Sequence, residues 1–385
     1  MSELSRRNLL GAAAGGSVLA AAASDGAAGE QPPFGPTPPV LAGSELPSFR
    51  FPLGAVTPKT WDGGWAKEAT VEQFPVSQKL AGVLMSLAPG ALRELHWHAN
   101  AAEWAYIIKG RCRVTTIDPA GHSQIADFNV GDVWYFPRGY GHSIQGVGSE
   151  ECLFVLVFDN GYFSEFGTFS ISDWVGHTPA EVLAKNFGVP AATFANFPKA
   201  EVYIAKGPVP APLAADPAPG SLNHGAMTHR YELLAQRPDN FPGGTNRLVS
   251  QREFPISSTI TGALMRIRPG ALREMHWHPN ADEWQYYLSG TARVGVFGSH
   301  GRARTEEMRA GDVGYVPQGY GHYIENTGSN DLELLIVLNN ATYEAISLTA
   351  WMAANPHLLL ATNFKLPEST FANFPTAQRF MPAAL

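Results

Sequence analysis

Hydrophobic positions in the first half of the chain come in short runs, Ala81–Leu87, Trp104–Ile108, Cys112–Ile117, Val133–Phe136 and Cys152–Phe158, rather than in stripes of helical period. Each run is short enough for a strand and too short for an ordinary helix. Turn-forming residues separate them at Pro89-Gly90, Lys109-Gly110 and Pro137-Arg138-Gly139. Many short strands punctuated in this way predict an all-β barrel or sandwich. The rhythm breaks over residues 173–187, where Asp173 can cap a helix and Thr178-Pro179-Ala180-Glu181 opens another with proline in its first turn. Short helices should therefore flank the barrel. Residues 30–50, rich in proline and glycine, read as an extended arm, and Lys206–Gly220 reads as a semi-rigid linker.

The pattern occurs twice. Pro89-Gly90-Ala91-Leu92-Arg93-Glu94 returns as Pro269-Gly270-Ala271-Leu272-Arg273-Glu274, and Gly139-Tyr140-Gly141-His142 as Gly319-Tyr320-Gly321-His322, both at an offset of 180. A period this long duplicates a whole domain. The offset holds as far as Asn160 with Asn340, then becomes 177, pairing Trp174 with Trp351. Three residues of the first module are thus missing from the second, between Asn160 and Trp174. The resulting division is a leader (1–29), a first module (30–205), a linker (206–225) and a second module (226–385).

Composition narrows the picture. With 45% hydrophobic and 16% charged residues the chain is globular rather than disordered, and a formal charge of −7 carries no nucleic-acid signature. The leader reads Ser5-Arg6-Arg7-Asn8-Leu9-Leu10 before an Ala/Gly run that reaches Ala23. That is the form of a twin-arginine export signal, with an apolar stretch shorter than the roughly 20 residues needed to span a bilayer. It predicts a periplasmic or extracellular protein without a stable membrane anchor. The two cysteines, Cys112 and Cys152, allow either a disulfide or two buried thiols.

The candidate chemistry lies in the repeat. His96-Trp97-His98, Glu103 and His142 are matched by His276-Trp277-His278, Glu283 and His322. Residues two apart on a strand face the same way, so each histidine pair can point into a barrel while its tryptophan points out. Three imidazoles and a carboxylate leave positions open on a six-coordinate ion and suit Mn(II) or Fe(II). The lack of thiolate ligands argues against structural zinc. Strict alternation would place Arg93 on the face opposite His96, so a bend after Pro89-Gly90 is needed to turn it inward.

These residues resemble a known family. Residues 90–110 match the first cupin motif, Gly-(x)5-His-x-His-(x)4-Glu-(x)6-Gly, and residues 131–142 the second, Gly-(x)5-Pro-x-Gly-(x)2-His. Both recur at 270–290 and 311–322, where Asn326 completes the second motif; Gly146 stands at that position in the first module. Arg93-Glu94-Leu95-His96-Trp97-His98 and Phe158-Asp159-Asn160-Gly161-Tyr162-Phe163-Ser164-Glu165 further resemble the bicupin oxalate decarboxylases, over nearly all of the chain after about Phe51. The resemblance implies two tandem double-stranded β-helix (jelly-roll) barrels, two Mn(2+) per chain, dioxygen as a co-catalyst, and a homo-oligomer, trimeric or hexameric. It also implies cleavage of oxalate to formate and carbon dioxide.

Within that resemblance Arg93 and Arg273 are substrate-carboxylate ligands, and Glu165 is the general acid that supplies a proton after carbon dioxide leaves. Glu165 sits on a segment whose Gly161 and Gly167 suit a mobile lid, and that segment carries the length difference between modules. The family lid commonly runs Ser-Glu-Asn-Ser-Thr, whereas this chain has Ser164-Glu165-Phe166-Gly167-Thr168. Some relatives carry a glutamate where this chain has Ile336, which makes the first module the expected seat of catalysis. The alternatives are an oxalate oxidase yielding hydrogen peroxide and a non-catalytic exported manganese-binding cupin.

Overall fold

The computed structural model describes residues 45–213 and 228–385. The expected export signal and residues 214–225 of the expected linker lie outside the described residues. Each module is a pair of antiparallel sheets. In the first, a seven-stranded sheet runs in spatial order Arg230–Glu232, Asp132–Phe136, Glu103–Lys109, Cys152–Phe158, Ala81–Leu87, Gly64–Ala69 and Lys59–Trp61. It faces a smaller sheet ordered Phe169–Ser170, Leu92–Trp97, Gly141–Val147, Arg111–Ile117 and Ser123–Phe128, with Ile204–Ala205 also on Leu92–Trp97. Strands adjacent in space are distant in sequence, which is the jelly-roll arrangement. The second module repeats it, with Leu272–Trp277 beside Gly321–Asn326 in its smaller sheet.

The modules exchange strands. Arg50–Phe51, the end of the expected arm, pairs with Val313–Val316 of the second module, and Arg230–Glu232 of the second pairs with Asp132–Phe136 of the first. Matching ion pairs fasten both: Arg50 Nε donates to Asp312 at 2.7 Å, and Arg230 Nη2 donates to Asp132 at 2.7 Å. Each barrel has its own apolar filling, and a third cluster made of residues from both modules lies between the larger sheets. In that cluster Trp284 lies against Gly82 and Trp104 against Gly262, so close that a Cβ on either glycine would sit 2.1 or 2.3 Å from the ring.

Helices flank each barrel as predicted, Ile171–Gly176 and Ala180–Phe187 in the first and Leu348–Ala353 and His357–Phe364 in the second. The cap of the first differs from expectation. Ser170, not Asp173, occupies the N-cap and its hydroxyl accepts from the Asp173 amide, because the strand Phe169–Ser170 delivers the chain to the helix three residues earlier. Among the described residues no helix is long and apolar enough to cross a membrane. Cys112 and Cys152 are buried thiols without a disulfide, and burial together with the neighbouring Cys152 thiol pushes Cys112 well above the usual range.

Candidate active site

The first centre sits between the sheets of the first barrel. His96 and His142 are directly opposed across the pair Leu92–Trp97 and Gly141–Val147, while Glu103 opens a strand of the facing sheet. Nδ1 of His96 donates to the Glu94 carbonyl at 2.6 Å and Nδ1 of His142 to the Tyr140 carbonyl at 2.8 Å. Those bonds fix the tautomer and leave each Nε2 lone pair for a metal. Nε2 of His96, His98 and His142 lie within 4.8 Å of one another, and so do the ligand atoms of His98, Glu103 and Glu165. The three nitrogens, Glu103 Oε2 and Glu165 Oε2 are all buried without a hydrogen bond, with only one another, at 3.4 Å or more, for company. Burial holds His96 and His142 well below the ordinary imidazole range, so they are neutral donors. Burial first, and then the nearby Glu165, push Glu103 well above its ordinary value. Orphaned imidazoles and a crowded carboxylate are the surroundings a divalent cation relieves.

The second centre is tighter: His276, His278, Glu283 and His322 form a single cluster, their ligand atoms all within 4.8 Å of one another, whereas in the first Glu103 groups with His98 and Glu165. His276, His278 and His322 anchor Nδ1 on the carbonyls of Glu274, Glu344 and Tyr320. Although burial opposes it, the charges of His322 and His278 and their hydrogen bonds hold Glu283 well below the usual carboxylate range.

Arg93 does reach the site, by a device other than a bend after Pro89-Gly90. The ladder pairs His96 with His142 but Arg93 with Ile144, so two residues on one strand, Glu94 and Leu95, oppose one on the other, Ser143. This bulge at Glu94 and Leu95 cancels the alternation and puts Arg93 and His96 on one face. It recurs between Arg273 and His276. The displaced Glu94 is buried and accepts from the amides of Val202 and Tyr203, at 2.8 and 2.6 Å, and from the Ser172 hydroxyl. Tyr203 is thereby held at φ +62°, in the left-handed region costly for such a residue, with its ring 3.9 Å from the Arg93 guanidinium. Phe380, at φ +45°, covers Arg273 at the same distance.

Glu165 is buried in the first site. It lies in a short 3-10 turn, Glu165–Gly167, with Oε1 accepting from Arg93 Nε at 2.9 Å and Oε2 3.4 Å from His98 Nε2. Arg93 Nη2 donates to Thr168 Oγ1 at 2.7 Å. Burial opposes ionisation, but Arg93 and His98 hold Glu165 below its ordinary value. The second module passes from Asn340 to its strand Ile346–Ser347 with three residues fewer than the first needs from Asn160 to Phe169–Ser170. The turn that carries Glu165 accounts for them. There Arg273 Nη2 donates instead to the Tyr343 hydroxyl at 3.0 Å. The two lid glycines have unequal roles. A Cβ on Gly161 would meet the Ser77 carbonyl at 2.1 Å, so Gly161 is a fixed post, whereas nothing lies within 4 Å of one on Gly167.

The cupin family matches residues 57–193 and 231–370. The oxalate decarboxylase of Bacillus subtilis (strain 168) is 44% identical over 86% of this chain and 85% of its own length. This chain belongs to the bicupin oxalate decarboxylases. A probable oxalate decarboxylase of Arthroderma benhamiae is 36% identical over 84% of this chain and 80% of its own length. A solved structure of the Bacillus subtilis oxalate decarboxylase at pH 4.6 superposes with a TM-score of 0.84 at 42% identity, covering 89% of this chain and 90% of that one. Work on the same enzyme describes Mn(II) centres. An oxalate-binding protein of Thermotoga maritima is 31% identical over 30% of this chain and 93% of its own length.

The two metal sites of this decarboxylase relative differ in one respect that residue spacing does not announce. Glu103 Oε1 accepts from the Trp134 indole at 2.6 Å, whereas Glu283 Oε1 accepts from the Gln285 amide at 2.6 Å, whose oxygen accepts from Tyr287 at 2.7 Å. At the 180 offset Trp134 faces Gly314 and Ala105 faces Gln285, a reciprocal exchange of large for small. That complementary swap is the signal from which these partners could have been found.

Proposed function

We propose that this chain cleaves oxalate to formate and carbon dioxide at its first site, with Mn(2+) bound there and at the second. One observation carries it: Glu165, present in the first module alone, is buried between the substrate-type arginine and the imidazole cluster. One hydrogenoxalate gives one formate and one carbon dioxide, with dioxygen taking part but not consumed. A bound Mn(2+) supplies Lewis acidity and a one-electron partner that weaken the carbon–carbon bond. Arg93 receives a substrate carboxylate through Nη1, which is buried without a partner while Nε and Nη2 hold Glu165 and Thr168. Glu165, a carboxylate beside Arg93 and His98 in the resting site, takes the proton of the incoming hydrogenoxalate and hands it to the carbon from which carbon dioxide has left. Its lid opens to admit oxalate and shuts out water afterwards. The second site, with Arg273 but without the turn, binds carboxylate without protonating a product.

Formate, carbon dioxide and peroxide measured from oxalate with Mn-loaded protein test the reading, and one formate per oxalate is expected. Peroxide matching the oxalate consumed would make the protein an oxidase, and bound manganese without turnover would make it a binding protein. Glu165→Gln should lower formate formation by about 10²- to 10⁴-fold, the usual worth of a positioned acid, while metal content stays unchanged. We further propose export by the twin-arginine route, motivated by Arg6-Arg7 and the apolar run after it, and assembly of several copies. Trp174 and Trp351 on the flanking helices are 66% and 57% exposed, which favours burial between copies. Cell fractionation and sedimentation test these two points.

A further inference from the structure

Phe163 anchors the start of the lid, buried against His98 and Phe158 with ring centroids 4.8 and 4.5 Å away, and beyond it the turn is held shut by polar contacts and by one ring. Ser164 Oγ donates to Glu68 at 2.9 Å, and Arg93 ties Glu165 and Thr168. Water can replace each of these bonds when the lid opens. The ring of Phe166 is different. It packs against Trp61 and Tyr203, with centroids 5.9 and 5.8 Å away, and Lys59 Nζ stands 4.5 Å from its centre. Trp61 and Tyr203 stack on each other at 4.1 Å, and Tyr203 covers the Arg93 guanidinium. The second module keeps that platform, with Phe241 on Phe380 at 4.4 Å over Arg273, but it lacks the turn, and among the described residues no further ring stacks on the pair. The platform's common task is to orient an arginine. Phe166 is an addition that uses its free edge.

We propose that Phe166 is the latch of the closed lid, a positioning residue that holds Glu165 against Arg93 and His98 and so sets how turnover divides. This builds on the decarboxylase reading above. With the latch shut, the carbon left by carbon dioxide takes its proton from Glu165 and formate results. With it open, the same species surrenders its electrons to dioxygen. Oxalic acid and dioxygen then give two carbon dioxide and one hydrogen peroxide, with dioxygen as the oxidant. Opening must also expose the Phe166 ring to water, which biases the resting lid shut.

The test compares full-length Mn-loaded wild type with Phe166→Ala, Phe166→Tyr and Lys59→Ala. Two quantities are read: peroxide formed per formate, and hydrogen exchange of lid amides 162–168 without substrate. Phe166→Ala should raise both by about fivefold, the shift expected from losing a partly exposed aromatic and cation contact. Phe166→Tyr should restore wild-type behaviour, and Lys59→Ala should move both in the same direction by less. Unchanged exchange and unchanged partition in Phe166→Ala overturn the latch. If the wild type yields no formate, the decarboxylase reading fails, while the exchange arm still decides whether Phe166 holds the lid.

Discussion

At the scale of single residues, both centres depend on how each carboxylate is aimed. Glu103 and Glu283 each give one oxygen to a fixed donor, leaving the other for the metal, but the donors are an indole and an amide. Trp134→Phe keeps the packing and removes only the N–H. It should weaken metal binding at the first site by about 10- to 100-fold, the usual cost of losing a partner behind a ligand, and leave the second unaffected. Chelator competition followed by metal analysis checks this. Arg93→Lys keeps the charge but loses the fork, so kcat/KM for oxalate should fall by about 10- to 100-fold, the equivalent of a charge-assisted bond of roughly 1.5–3 kcal/mol. The ligands were legible in the sequence because their spacing is local and repeated. Arg93 was legible as a residue but not as an orientation, since a bulge leaves no mark in hydrophobic alternation. Trp134, Gln285 and Tyr203 were not legible, because they reach the site across strands or by way of a strained backbone.

At the scale of elements, the bulged strand is the part that makes a site out of a barrel. Its extra residue turns Arg93 inward and frees Glu94 to bind the returning segment that carries Tyr203. Glu274 does the same with Phe380 and Ser347. Replacing Glu94 by alanine leaves buried amide donors unpaired, and a loss of about 3 kcal/mol follows at roughly 1–3 kcal/mol per orphaned group. The denaturation midpoint should fall, and oxalate turnover should fall further than folding alone accounts for, because Tyr203 no longer holds Arg93. The apolar runs located Ala81–Leu87 and Cys152–Phe158 to the residue. Ser123–Phe128 escaped because it is an edge strand with no buried face until Phe128, and Gly141–Val147 because glycines interrupt its apolar pattern.

At the scale of the whole molecule, duplication suggested two independent barrels, and the exchanged strands make them dependent. Arg50–Phe51 completes a sheet of the second module and Arg230–Glu232 one of the first, so neither barrel closes its larger sheet alone. The tryptophans that follow the two ligand glutamates, Trp104 and Trp284, rest on glycines of the opposite module. Because the apolar cluster between the modules is shared, unfolding one barrel exposes the other, and the described chain should melt in a single calorimetric transition. Gly82→Ala or Gly262→Ala forces a ring away from its seat, and overpacking of this kind costs about 1–3 kcal/mol. Either change should lower that one transition rather than split it. Metal removal should act in the same way. At a thousandfold excess over Kd a bound ion contributes about 4 kcal/mol per site, so stripping both centres should lower Tm by about 10 °C or more while the transition stays single. Two transitions, one shifting with each metal site, would show instead that the exchanged strands do not couple the barrels.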